Sequence, residues 1–150
     1  MPKSNASTEI TVSNAGVLVR FAAMAYDGLL ILGLWFLVGV IFVAANNGEH
    51  ANPHNPFLPS ALFIVTFWFY THFWRRGGQT LGMRAWRLRL LNQNSGPLTL
   101  TQCLVRFLVS IASFGLFGLG YIWLLFDKDK LTWHDRYSET RVIREPKKQR

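Results

Sequence analysis

The sequence predicts an all-α membrane protein. It has two transmembrane helices, an interfacial amphipathic segment, a third apolar region folded as a helical hairpin (or, as the alternative, one long span), and a short cytoplasmic two-stranded pairing. Three observations predict this. Half of the 150 residues are hydrophobic and 15% are aromatic, more than a soluble domain of this length carries. Two apolar runs are long enough to cross a hydrocarbon core of about 30 Å. The Lys and Arg behind a net charge of +8 fall in blocks at the ends of those runs, as the bias toward basic cytoplasmic loops requires.

Residues 1–16 are rich in Ser, Thr and Asn and read as a flexible polar tail. The Asn5-Ala6-Ser7 sequon in it is not expected to be used. The membrane domain then occupies 17–145, and 146–150 is a basic C-terminal tail. Val17 to Ala45 is the first span. It exceeds a signal-peptide core and lacks a cleavage site before the next polar stretch, so it reads as retained. It carries Arg20 and Asp27, and an ionised side chain in hydrocarbon costs at least ~2.5–3.5 kcal/mol. The two are two helical turns apart on one face. A helical Arg leans toward the N-terminus, away from Asp27, so each needs a partner from elsewhere.

Asn46 to Pro56 has no Lys or Arg and many turn formers, and reads as the outer loop. His50 and His54 are four apart there, but Pro53 intervenes and further ligands are missing, so no metal site is expected. Phe57 to Trp74 is the second span. Pro59 falls in its first turn, where proline is tolerated. Trp68, Tyr70 and Trp74 suit an interfacial belt, and Arg75 and Arg76 mark the cytoplasmic side. His72 joins that belt.

Gly77 and Gly78 break the helix, and Thr80 can cap a short new one. Arg84 and Arg87 alternate with Leu81, Met83 and Trp86, which suits a helix in the headgroup plane. Trp86 to Leu90 then alternates with period two, a strand pattern. Asn92 to Pro97 is a turn. Leu98 to Phe126 would be about 40 Å long as one straight helix, more than a span needs. A full crossing would also carry the basic tail to the outer side. A break near Gly115–Gly120 removes that conflict and leaves both termini cytoplasmic. Thr140 to Ile143 has strand-forming residues and is expected to pair antiparallel with Trp86–Leu90, with positions 88 and 142 in crosslinking range.

Three blocks carry a family resemblance: VRFAAMAYDGLL, GQTLGMRAWRLRLLNQNSGPLTLTQCLVRFL and LTWHDRYSETRVI. They resemble the RDD family of membrane proteins, named for one Arg and two Asp, over Gly16 to Val142. The name-giving residues match Arg20, Asp27 and Asp135. The chain departs from the common pattern in its short third apolar region. The resemblance implies a multi-pass membrane fold, and some members are linked to sodium–proton exchange.

The candidate residues are thus the buried charges Arg20, Asp27, Arg106 and Asp135. They serve either as ion-pair clamps between helices or as a proton or cation path. Matching depths along the helices pair Asp27 with Arg106, and the returning tail pairs Asp135 with Arg20. On that assignment Asp27→Ala is the more damaging loss and Asp135→Ala the milder. His134 and Asp135 would be ordinary residues at a loop end, with His134 also able to sense pH. Cys103 is alone, which excludes a disulfide framework, and its apolar flanks do not activate a thiol. No phosphate loop, nucleophile elbow or paired-carboxylate signature occurs, so neither an enzyme nor a cofactor is expected. The expected partners are the bilayer with its anionic headgroups, another membrane protein, or further copies of the chain. Nucleic acid is not expected, because no motif accompanies the charge. Transport of a small cation or solute by an oligomer, coupled to protons, leads. A non-catalytic membrane scaffold is the alternative.

Overall fold

The computed structural model describes residues 13–48, 55–94 and 96–146. The sequon, His50 and His54, Lys147, Lys148 and Arg150 lie outside the described residues. Strand β1, Ser13–Asn14, leads into α1, Val17–Ala45. Helix α2, Phe57–Gly77, follows, and among the described residues α1 and α2 are the two single helices long and apolar enough to cross a membrane. Their bounds fit the two predicted spans, with α2 running three residues past Trp74 to Gly77.

Beyond α2 the chain makes a five-residue helix α3, Leu81–Ala85, and strand β2, Leu88–Asn92. Thr80 caps α3 as its side chain suggests, its Oγ1 accepting from the Met83 N–H at 3.1 Å. The interfacial reading of this segment holds for one face only. Leu81 and Arg84 are exposed, whereas Gly82 and Met83 are buried beneath α1. A side chain at Gly82 would collide with the Ala23 carbonyl and the Asp27 carboxylate. Glycine is therefore what permits this close approach of α3 to α1.

The third apolar region divides where its glycines cluster. Helix α4, Leu100–Gly115, and helix α5, Leu119–Phe126, meet at 96° across a short break. Thr99 and Gln102 form a capping box at the start of α4. Gly118 holds the break at φ +75°, a backbone region that favours glycine. The second arm thus runs across the bundle and not straight back along the first, as a tight hairpin would. A short helix α6, Trp133–Tyr137, and strand β3, Thr140–Arg144, complete the described fold.

The strands decide the path of the third region. They form one antiparallel sheet in the order β1-β3-β2. β1 lies just before α1, β2 between α2 and α4, and β3 after α5. A complete crossing by α4 and α5 would leave β3 on the opposite face of the bundle, out of reach of the other two strands. The third region therefore enters and returns on one face, as the hairpin reading requires. The expected β2–β3 pairing is present, but with Leu90 opposite Val142 and Leu88 opposite Arg144. Positions 88 and 142 are thus two residues out of register. β1 was not expected: Ser13 and Asn14 lie in the stretch read as a flexible tail, yet pair with Arg144 and Ile143.

Leu88, Leu90 and Val142 turn inward from the sheet, onto Ala23, Trp74, Met83, Cys103 and Phe107. This small core sits where the sheet meets the helices. It draws in two members of the predicted interfacial belt, since Trp74 is buried and Tyr70 packs partly against it. Trp68 alone of that trio is exposed, stacked on His72 with 5.0 Å between ring centroids.

Candidate functional site

Two polar centres lie at the sheet end of the bundle. The first is built on Asp135, which is fully buried. Thr132 and Asp135 cap α6 reciprocally, which fixes the carboxylate at the third position of that helix. Its Oδ2 accepts from Arg20 Nη1 and its Oδ1 from Arg106 Nη1, both at 2.5 Å. Arg20 also donates through Nε to the Ala15 carbonyl at 3.1 Å and through Nη2 to the Val142 carbonyl at 3.4 Å. Arg106 donates further to Thr140 Oγ1 at 2.8 Å and lies 5.4 Å above the Trp74 ring. Burial alone would raise the Asp135 carboxyl, but Arg106 and Arg20 outweigh it and hold the group well below the usual carboxylate range.

The expected Arg20–Asp135 pair is therefore present, and Arg106 joins it from the other side. The expected Asp27–Arg106 pair is not. Asp27 instead makes the second centre. Its Oδ2 accepts from the Thr80 hydroxyl at 2.5 Å and its Oδ1 from the Gly82 N–H at 2.8 Å. It is buried, and among the described residues no Lys or Arg pairs with it. Depth along the helices was a poor guide because α3 folds back under α1 and supplies neutral donors at that level.

His134 and Asp135, read as ordinary loop-end residues, are buried at 2% and 0% exposure. The His134 ring packs 4.5 Å from that of Tyr121, and its Nδ1 has no hydrogen-bond partner. Burial, together with the Arg106 and Arg20 charges and against the pull of Asp135, pushes its imidazole down to about 3. It is therefore neutral near pH 7.

A cavity of about 600 Å3 joins the two centres. Asp27, Thr80, Arg20, Arg106 and His134 line its polar end. Its walls are apolar and largely aromatic, including Trp35, Phe63, Tyr70, Phe107 and Tyr121. Phe63, Ile111 and Phe114, also in the lining, are exposed. The sequence reading missed Thr80, Tyr70 and Tyr121 as part of this site. The G-x-T-L-G-x-R-like run around Thr80 was the one available signal, because it sets a capping hydroxyl two residues before a glycine.

Cys103 is buried, and it belongs to the core cluster at the sheet end of the bundle. Comparison with curated proteins and with solved structures returned no match. The family profile described as RDD matches residues 14–139, most of the chain. That match takes in all four charged residues, three of which, Arg20, Arg106 and Asp135, form one cluster while Asp27 stands apart. This multi-pass membrane protein belongs to the RDD family.

Proposed function

We propose that the protein exchanges a small cation for protons across the membrane, with Asp27 as the carboxylate that binds them in turn. One observation carries this reading. Asp27 is buried where α3 packs under α1, is held among the described residues by neutral donors, and lines a cavity. A carboxylate in that setting takes up a proton or a cation to neutralise its charge. The Arg20–Asp135–Arg106 cluster is assigned a different task, clamping the sheet to α1 and α4. Each copy offers two spans and one bent pair, so several copies assemble to enclose a path. The Lys and Arg blocks favour a cytoplasmic sheet and termini in a bacterial inner membrane.

The test is flux in vesicles reconstituted with the full chain. Under an imposed pH gradient, adding sodium, potassium or an organic cation such as ethidium outside should collapse the gradient, and Asp27→Asn should abolish the effect. No cation-dependent collapse with wild type, or equal collapse with the variant, refutes the proposal. A scaffold reading draws on one further observation. Arg75, Arg76, Arg84, Arg89 and Arg141 are exposed at the sheet end, a basic surface suited to anionic headgroups or an acidic membrane partner.

A further inference from the structure

We propose that the interhelical cavity binds a lipophilic organic cation, its charged centre at Asp27 and its apolar body among the aromatic walls. This rests on Asp27 being the exchanging carboxylate, and it names the class of cargo.

The volume is the first argument. About 600 Å3 falls within the usual range for a drug-sized ligand and far exceeds a bare metal ion. The walls are the second. An inorganic cation entering here would trade its water for one carboxylate and one threonine hydroxyl, a poor exchange in apolar surroundings. An organic cation carries its own apolar surface, which the walls cover, and aromatic faces attract its charge. Charge at the polar end is the third. Arg20 and Arg106 also line it, but both are committed to Asp135. Asp27, held by Thr80 and Gly82 alone, is the ionisable group left to pair with a ligand. His134 is held neutral and adds no competing positive charge. Entry is the fourth. Phe63, Ile111 and Phe114, on the membrane helices α2 and α4, line the cavity and remain 46–63% exposed, so the cavity is open at apolar side chains and a molecule dissolved in the bilayer can reach it there. A proton and the organic cation then compete for one carboxylate, which couples uptake of one to release of the other.

The experiment measures equilibrium binding of tetraphenylphosphonium to the full chain in detergent, beside its anionic isostere tetraphenylborate. Wild type should bind the phosphonium saturably and in preference to the borate. Asp27→Asn keeps the shape and removes the charge, and should weaken phosphonium binding at least about tenfold. Ser110→Phe fills the cavity away from Asp27 and should remove the binding. Equal affinity for the two ions, or undiminished phosphonium binding by either variant, overturns the proposal. Should Asp27→Asn fail to fold, wild-type selectivity and the Ser110→Phe result decide. Saturable phosphonium binding without any proton-coupled flux overturns the transport reading and leaves the site standing. Sodium- or potassium-driven flux without phosphonium binding does the reverse.

Discussion

Asp135→Ala is the most informative single substitution. It strips the anion from two guanidiniums whose side chains are only 5% and 8% exposed. Removing one partner of a buried pair costs about 3–5 kcal/mol, chiefly because the survivor stays buried and unpaired. Here one deletion orphans two survivors and the Thr132 N–H, so the cost should reach about 5 kcal/mol or more. In a protein of this size that lowers the melting temperature by roughly 10–20 °C. Arg20→Ala leaves Asp135 with Arg106 and should cost less, about 3 kcal/mol by the same reasoning. The triple change Arg20→Met, Arg106→Met and Asp135→Leu removes every charge together and should recover most of the loss, since apolar groups of similar size can replace a buried ion cluster. The assay is gel filtration of detergent-solubilised protein after heating. The reasoning is refuted if Asp135→Ala melts within about 2 °C of wild type, or if the triple variant is no better than the single one.

Gly82→Ala should cost about 1–3 kcal/mol, because the added methyl meets the Ala23 carbonyl, which cannot move aside; an unchanged melting temperature would contradict this. With Cys103→Ser as background, cysteines introduced by Leu91→Cys and Arg141→Cys should crosslink readily, being directly opposed on β2 and β3, whereas Leu88→Cys with Val142→Cys should lag; the reverse order would contradict the register. Stability should also fall with acid. The His134 imidazole titrates at about 3 when folded against 6.5 when free, so its contribution is intact above 6.5 and is lost as pH falls toward 3. Between pH 7.5 and 5 the loss should be about 2 kcal/mol, and melting curves of His134→Leu should be flatter over that window; parallel curves would contradict the assignment.

Much of the architecture is legible in the sequence. Length and apolarity mark both spans, and the conflict between a basic tail and a third crossing locates the break near Gly118. The Arg20–Asp135 bond was also legible, since both lie near the sheet-side mouth. What escaped was everything set by α3. Five residues carry too little periodicity to show that Met83 and Gly82 face inward. Without that fold-back, Asp27 and Arg106 are natural partners by depth, and Asp27→Ala ranks as the worse loss. With it, Asp27 has neutral donors and Asp135 has two cations, which reverses the ranking. β1 escaped for a similar reason, as two residues leave no alternation to read.

The sheet order has a consequence for how the protein is made. β3 lies between β1 and β2, yet it is synthesised after both. Until it emerges, β1 has no neighbour, and Arg20 waits for a carboxylate 115 residues further along the chain. Both spans can enter the bilayer early, but the bundle cannot close until β3 and α6 arrive. During that interval the two guanidiniums lack the carboxylate that compensates them in the finished fold. Closure by the last-made strand thus makes the sheet and the buried ion cluster form together, late, and not stepwise.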